Sequence, residues 1–590
     1  MSANASIATL FNQIADALEV LGENQFKVMA HRKAARIIED LSDDVSELCK
    51  SDPDKLKSID GLGASSVQKI QEFVATGKIK AHDEVLAKLP AGLIDVLRVP
   101  GLGPKTVKLL WDQGGVTDLT TLKSQLASGA LEKLPRMGAK TLQNIAENLA
   151  FLETAGDRAR LGDAMPIAET FVTQLRAIKG VTQAEFAGSL RRGRETIGDI
   201  DLLVATEHPA PVMQYFCSHP LVAKVLVSGD TKSSVRLNNG MQVDLRAVPA
   251  MNWGAALLYF TGSKDHNVIL RERAIERSMR LNEYGLFADD GDETPPQQRG
   301  IKPVASKTEQ EIYIKLGLEW IAPELRESHG EFDNNLTKHL VCVGDIRREL
   351  HCHTTASDGV LSIEQLIETA KSRGFDAIAI TDHSRSSAQA NGLSVERLRE
   401  HAANIRAASA KIKGIHVLVG SEVDILADGH LDYPDDVLAE LDWVVASPHT
   451  ALKQTPEAAT ARLLAAIANP FVHVIGHPTG RILNGRPGLE PNMKLVIAAA
   501  AKAGVALEIN CNPARLDLRD ALVRAAHEGG AMISINTDAH DGEHFDFLRY
   551  GILTARRAGL AAAGCVNAWP WKQFEAWRLS RGRAKSLKNS

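Results

Sequence analysis

The apolar positions change period along the chain. At the start they recur every three or four residues, at Ile7, Leu10, Phe11, Ile14 and Leu18, the spacing of an amphipathic helix. Residues 1 to about 85 therefore read as helical. One pattern then repeats: an apolar helix end, a glycine-rich turn and a second helix. It stands at residues 56–70 around Gly61 and Gly63, at 97–107 around Gly101 and Gly103, and more weakly at 134–142 around Gly138. Between about 155 and 260 strand-like runs appear, at 185–187, 200–204, 225–228 and 241–248. From Leu350 onward short β-branched runs alternate with helical stretches, and six of these runs end in polar residues: 349–353, 377–383, 417–424, 443–449, 472–478 and 533–540. Alternating βα units predict a parallel barrel whose strand ends converge on one face.

Composition changes this picture little. At 590 residues the chain needs several domains. With 44% hydrophobic and 24% charged residues it is an ordinary globular protein. A net charge of -5 does not advertise a nucleic-acid binder, so any DNA contact must come from local basic patches or backbone N–H groups. The six cysteines are scattered without a C-x-x-C pair, which argues against a disulfide framework and for a reducing cytoplasm. The N-terminal stretch has no signal-peptide pattern. The most apolar long stretch, 495–507, contains Lys502 and is too short to span a bilayer.

Two constellations carry chemistry. In the first, residues 188–201 run through Gly188, Ser189, Arg191, Arg192 and Gly198 to Asp199 and Asp201. Residues i and i+2 of a strand share a face, so the two carboxylates project side by side with Ile200 turned into the core. The run 241–248 brings a third, Asp244, on the same face as Gln242 and Arg246. Adjacent carboxylates can hold Mg²⁺ and a small-residue turn can hold phosphate, which together predict nucleotidyl transfer. The glycine repeats resemble the helix-hairpin-helix motif, in which glycines let backbone approach a DNA phosphate and the following helix offers N–H groups and its positive dipole end. Gly61, Gly63, Gly101, Gly103, Lys105 and Gly138 are the expected DNA contacts, and contacts of this kind position DNA without reading sequence. The second constellation is the set of His, Asp and Glu residues at the barrel strand ends. Imidazole and carboxylate ligands suit Zn²⁺ or Mn²⁺, and a metal cluster there would activate water and clamp a phosphate for hydrolysis. His473 lies roughly 13 Å from His477 along an extended strand and is left out. Cys352 should face the core.

These motifs carry two resemblances. Residues 1 to about 325 resemble the family X DNA polymerases, through 188–201, 243–246, 259–263, Asn267 and Arg271. The resemblance implies that Asp199, Asp201 and Asp244 hold two Mg²⁺ (or Mn²⁺) ions and that Asp244 assists deprotonation of the primer 3′-OH. It implies that Ser189, Arg192 and Gly198, with Arg160, hold the triphosphate. Tyr259 and Phe260 would line the sugar and discriminate against a ribose 2′-OH, Gly262 would belong to the same nucleotide site, Asn267 would touch the base, and Arg271 the template strand. It also aligns Lys69 with a Schiff-base lysine of a 5′-deoxyribose phosphate lyase. Lys27 and Arg32 are offered as the cations that lower its pKa, while Ser65 stands where the family has an assisting lysine. From residue 348 to about 570 the chain resembles the PHP domain, a distorted seven-stranded barrel. The resemblance implies that His351, His353, Glu422 and Asp538 share one ion, that Glu422 bridges to a second held by His449 and His477, and that Asp358, His383 and His540 hold a third.

The expected fold is multidomain: helix-hairpin-helix domains at 1–85 and 86–154, an α+β palm at 155–260, and a thumb at 261–325. A linker at 326–347, an α/β PHP barrel at 348–572 and a basic tail at 573–590 complete it. The expected function is gap-filling DNA synthesis in repair, on gapped or primer-template DNA with dNTPs. A 3′-5′ exonuclease, 3′-phosphatase or AP endonuclease would occupy the barrel, in a cytoplasmic monomer without membrane contact. Two rivals are a phosphoesterase of small metabolites resembling histidinol phosphatase, and a non-catalytic scaffold that binds DNA ends.

Overall fold

The helical spacing at the start of the chain folds as two long packed helices, α1 (Ala3–Leu21) and α2 (Gln25–Asp40). The computed structural model describes residues 3–41, 45–51, 56–57, 59, 61–97, 99, 102–135, 137–154, 158–332 and 339–581. They form two compact units, Met1–Asp157 and Arg158–Ser590.

In the first unit each described glycine turn delivers the chain into a helix. Gly63 precedes α3 (Ala64–Thr76), Gly103 precedes α4 (Pro104–Gly114) and Gly138 precedes α5 (Ala139–Thr154). Two apolar cores result. Ile7, Phe11 and Ile14 of α1 pack into the first, with Val67 and Ile70; Ala17 and Val20 of the same helix pack into the second, with Leu93, Val107 and Leu110. One helix thus serves both cores, so position 85 is not a break in the packing.

The second unit holds a five-stranded sheet and a barrel. The sheet comprises β1 (Val181–Phe186), β2 (Asp199–Thr206), β3 (Val222–Ser228), β4 (Lys232–Leu237) and β5 (Gln242–Val248), in the order β1-β2-β5-β4-β3. β4 carries no apolar alternation, because its consecutive residues Ser233 and Ser234, on opposite faces, are both buried. β2 is covered on both faces. Ile200, Leu202 and Val204 enter the core beneath the helix Leu161–Arg176, while Leu203 and Ala205 pack against Trp253 and Leu257 of the helix Trp253–Thr261. Asp199 and Asp201 occupy that second face at the start of the strand, before the apolar contacts begin. The helix Lys264–Ile275, the hairpin Met279–Asn282/Gly285–Ala288 and the helix Glu309–Lys315 surround a further core.

The segment expected to be a linker is not one where it is described. Arg326, Glu327 and Glu331 are buried. Arg326 donates to Glu309 at 2.6 Å, Glu327 meets three arginines, and Glu331 pairs with His266 at 2.8 Å. A polar run reads as a loop from sequence, but here Arg326, Glu327 and Glu331 are each buried and paired.

Seven parallel strands build the barrel, adjacent in sequence order: β6 (Arg348–Cys352), β7 (Ala377–Ile380), β8 (His416–Asp424), β9 (Trp443–Ser447), β10 (Val474–Ile475), β11 (Ala506–Asn510) and β12 (Ile533–Asn536). A bridge between Cys352 and Ala539 brings the last strand against the first. β11 was missed because it follows the helix Met493–Ala503 with one glycine, Gly504, between apolar runs. Below the strand ends the interior is filled by Leu350, Leu418, Val445 and Val474, and Phe574 packs into the same layer. Phe574 belongs to the helix Trp571–Ser580, so residues 573–581 are not a frayed tail. Arg581 is buried and bonds to the carbonyls of Val472, Asn469 and Ala503, and Arg578 bonds to that of Asp442. The remaining tail, with Arg583, Lys585 and Lys588, lies outside the described residues.

Candidate active sites

The palm carboxylates sit on paired strands. β2 and β5 run parallel with Asp201 directly opposite Asp244 and Asp199 opposite Gln242. Gln242 donates to Asp244 Oδ1 at 3.0 Å. Gly188 opens a single helical turn (Gly188–Arg191), not the plain turn expected. Its φ is +58°, and a Cβ there would stand 2.2 Å from Asp201 Oδ2, so only glycine lets the turn approach the carboxylate. Burial, then Asp199 and Asp244, push the Asp201 carboxyl up to about 7 against Arg192 and Lys232. Burial and Asp244 raise Asp199 as well. Two carboxylates raised in this way are short of positive charge. An all-oxygen donor set of this kind fits a hard divalent cation such as Mg²⁺ or Mn²⁺. The triad does not lie among the groups of three whose ligand atoms fall within 4.8 Å of one another; among the described residues those groups are all in the barrel.

Around the triad the expected nucleotide residues are placed unequally. Arg192 is not open to a phosphate in this structure: its Nε donates to Glu327 at 3.0 Å and its Nη1 to the Thr261 carbonyl at 2.6 Å. Arg160 is tied to Asp163 at 2.9 Å. Ser189 is half-buried within its helical turn. Gly198 lies beside Arg158, whose Nη1 stands 3.1 Å from the position of a Cβ. Tyr259 is exposed, edge-on to Phe260 at 5.2 Å, and Asn267 donates to its carbonyl at 2.8 Å. Arg271 is exposed on the helix Lys264–Ile275. Gly262 has φ +68° and borders the Arg192 guanidinium.

In the barrel the nine expected ligands do converge, and their grouping differs from the expected one. His353, Asp358, His383 and His540 form one group, His351, His353 and Asp538 a second, and His383, Glu422 and His449 a third. His353 and His383 are each shared between two groups. Glu422 is the hub. It lies 2.9 Å from His477 Nε2, 3.3 Å from both His351 Nε2 and His449 Nε2, and 2.8 Å from His383 Nδ1. His351 Nε2, His353 Nδ1, His383 Nδ1, His477 Nδ1 and Glu422 Oε2 are buried without hydrogen-bond geometry to any partner among the described residues. Burial opposes protonation of His383, but Glu422 and Asp358 prevail and pull it up to about 10; the Glu422 and Asp424 carboxylates likewise raise His449 to about 9. Orphaned imidazole nitrogens beside starved carboxylates fit divalent cations, which would supply the charge that protons otherwise supply.

Further buried residues, in no recognisable motif, hold these ligands from behind. Glu508, fully buried on β11, accepts from His351 Nδ1 at 2.8 Å and from the His477 backbone N–H at 2.7 Å. Asp382 accepts from His401 at 2.7 Å, from Thr354 at 2.9 Å and from Ser357 at 2.6 Å, fixing the loop that carries Asp358. Asp424 accepts from His449 Nδ1, and Asn510 donates to Asp538 at 2.9 Å. The available signal was a lone polar residue inside an apolar run, at Glu508 and Asn510. His473 lies apart from the cluster, stacked on Trp443 at 4.8 Å. Cys352 sits in the apolar core.

The glycine turns of the first unit are open. Among the described residues a Cβ at Gly63, Gly103 or Gly138 would meet nothing within 4 Å, so none of those residues demands glycine there. Gly61 has φ +83° and borders Ile37 and Lys33. Lys105 is exposed in the first turn of α4, and Gly101 lies outside the described residues. Lys69 Nζ donates to Ser65 Oγ at 2.6 Å; burial lowers its pKa and Glu72 opposes. The expected cationic helpers are engaged elsewhere, Lys27 with Glu23 and Arg32 with Asp16 and Glu19.

Comparison with known proteins follows the same division. Residues 2–79 match a helix-hairpin-helix domain family and residues 93–150 a SAM-like helix-hairpin-helix tandem. Residues 256–327 match the DNA polymerase beta thumb, and residues 349–512 the PHP domain. The chain is 38% identical over 574 residues to the DNA polymerase/3′-5′ exonuclease PolX of Bacillus subtilis (strain 168), covering 97% of this chain and 98% of that protein. Probable phosphatases of Caldicellulosiruptor bescii and Shewanella sp. (strain MR-4) are each 32% identical over 201 and 202 residues. They cover 32% of this chain and 79% and 75% of their own lengths. Among the described residues no helix is long and apolar enough to cross a membrane.

Proposed function

We propose a function from one premise: this chain belongs to the PolX family of DNA polymerase/3′-5′ exonucleases. It is a family X DNA polymerase that fills short gaps during repair, and its PHP barrel trims 3′ ends as a metal-dependent 3′-5′ exonuclease. The observation that carries the synthetic half is the crowding of Asp199, Asp201 and Asp244 across paired strands, with Gly188 yielding space to Asp201. The three carboxylates would hold Mg²⁺ (or Mn²⁺), and bound ions would lower the charge barrier at the primer 3′-OH and the leaving pyrophosphate. Asp244 would help take the 3′-OH proton. Ser189, Arg192, Gly198 and Arg160 would orient the triphosphate, with Arg192 turning away from Glu327 to do so. Tyr259 and Phe260 would exclude a ribose 2′-OH, with Gly262 beside them in the nucleotide site, Asn267 on the base and Arg271 on the template. The turns at Gly61, Gly63, Gly101, Gly103, Lys105 and Gly138 would hold the DNA backbone.

In the barrel, His351, His353, Asp358, His383, Glu422, His449, His477, Asp538 and His540 would hold up to three Zn²⁺ or Mn²⁺ ions. Glu508 and Asp424 fix the imidazoles of His351 and His449 by accepting hydrogen bonds from their Nδ1–H groups. A 3′-phosphatase or AP endonuclease action belongs to the same site. We attach a lyase step at Lys69, supported by its lowered pKa. The protein would act as a monomer in the cytoplasm. The test is a one-nucleotide-gapped duplex incubated with Mg²⁺ or Mn²⁺, with and without dNTPs. Asp199→Ala with Asp201→Ala abolishes extension and leaves Mn²⁺-dependent 3′ trimming largely intact, and His351→Ala does the reverse. Loss of both activities in both variants would refute the two-site assignment.

A further inference from the structure

One buried carboxylate joins three parts of the second unit. Glu327, at the end of the thumb segment, accepts from Arg192 Nε of the palm at 3.0 Å. It accepts on the same oxygen from Arg557 Nη1 at 2.9 Å. Arg557 ends the barrel helix Leu548–Arg557. Its Nη1 also donates to the Arg192 carbonyl at 2.8 Å, and its Nε to Asp520 of the barrel at 2.7 Å. Arg194 stands 3.6 Å from the same carboxylate. The side chains of Arg192, Glu327 and Arg557 are all nearly buried.

We propose that Arg557, a barrel residue, is a positioning residue of the polymerase nucleotide site: it fixes the palm turn through the Arg192 carbonyl and shares Glu327, so that Arg192 can leave for the triphosphate. The inference rests on the reading of Arg192 as a phosphate-holding residue. The chemistry follows from charge. Two arginines on one carboxylate oxygen leave neither strongly bound, since each weakens the hold of the other. When a triphosphate arrives, Arg192 exchanges Glu327 for phosphate oxygens. Glu327 keeps a buried cation, Arg557, and never stands unpaired, a state that would oppose the exchange. Without Arg557, departure of Arg192 would strip Glu327 of a close partner, and Arg192 would be retained. The barrel therefore lowers the cost of nucleotide binding at a site it does not line.

The test uses full-length protein on a one-nucleotide-gapped duplex with titrated dNTP. Trimming of a 3′-recessed end without dNTP serves as the control for folding. Arg557→Ala should raise KM for dNTP about tenfold, the scale of one charge-assisted hydrogen bond. It should leave kcat and trimming within about twofold. Glu327→Gln in that background should bring KM most of the way back toward the wild-type value, because an amide no longer holds Arg192 by charge while the contact to the Arg192 carbonyl stays lost. An unchanged KM in Arg557→Ala, failure of the rescue, or a joint fall of kcat and trimming would overturn the proposal in favour of simple interface packing. If Arg557→Ala does not fold, Glu327→Gln alone decides: a lowered KM supports the proposal, and an unchanged or raised one overturns it. Arg192→Ala separates the two levels. If it leaves KM unchanged, the phosphate-holding role of Arg192 fails and the clamp with it. If Arg192→Ala raises KM and Arg557→Ala does not, only the clamp fails.

Discussion

Glu508→Gln isolates the contribution of a residue that touches no substrate. Oε1 of Glu508 accepts from His351 Nδ1 at 2.8 Å and Asn536 Nδ2 at 2.7 Å; Oε2 accepts from the His477 backbone N–H at 2.7 Å and, more loosely, from Asn510 Nδ2 at 3.4 Å. Every neighbour is a donor. A glutamine of the same shape must turn its NH₂ toward one pair or the other, setting donor against donor in a fully buried site. If the amide faces His351, the Nδ1 proton loses its acceptor and the tautomer that frees Nε2 for a metal is no longer enforced. Loss of an outer acceptor of this type costs ~10- to 100-fold in metal affinity or activity, or about 1.4–2.7 kcal/mol. The assay is the rate of 3′ trimming across a Mn²⁺ titration, with gap filling measured on the same preparation. The expected outcome is a midpoint shifted to higher Mn²⁺, or a rate reduced by about that factor, with gap filling unaffected. Trimming within about twofold of wild type at every Mn²⁺ concentration would refute the reasoning, since the lost acceptor predicts at least ~10-fold.

Two further outcomes follow from buried charge elsewhere. Glu309→Ala removes the partner of Arg326, which is fully buried and 2.6 Å away, and of Arg191 at 2.8 Å; it should destabilise the second unit by about 3–5 kcal/mol in urea unfolding. His473 is pushed down to about 3 by burial, with Arg578 and Arg581 acting in the same direction. Its folded pKa lies below the unfolded value of 6.5, so its neutral form contributes stability above pH 6.5 that is lost as pH falls toward 3. The loss reaches up to ~1.4 kcal/mol per pH unit. Between pH 7 and pH 4.5 the melting temperature of wild type should therefore fall more than that of His473→Gln, measured by thermal unfolding at both pH values.

The sequence exposed what depends on period and on unusual residue types. Alternation placed Asp199 and Asp201 on one face and Ile200 in the core, and β2 and β5 pair with Asp201 against Asp244. Nine polar residues at six strand ends pointed to one barrel mouth, where they meet. What was not legible was partnership between distant segments. The run that begins at Arg326 is polar and resembles a loop, yet Glu309, Arg192, Arg557 and His266 lie 17, 135, 230 and 65 residues from their partners in it. Arg192 was expected at a phosphate and is held by Glu327, because a motif specifies a residue type and not its conformation without ligand. β4 hid behind buried serines, and β11 behind the apolar helix before it. Metal grouping within the barrel depends on strand register and loop path, so the pairing of His383 with both Asp358 and Glu422 lay beyond any spacing rule.

The helix Trp571–Ser580 at the base of the barrel has a spectroscopic consequence. Trp443, Trp569, Trp571 and Trp577 belong to one cluster around Phe574, four of the seven tryptophans in the chain. Trp443 and Trp577 lie 5.8 Å apart, and Trp569 and Trp577 the same. Four of the seven tryptophan fluorophores therefore report on the barrel floor. A fluorescence-detected transition follows the barrel, whereas circular dichroism also weighs the largely helical first unit. Disagreement between the two probes would measure how independently the parts of the chain unfold.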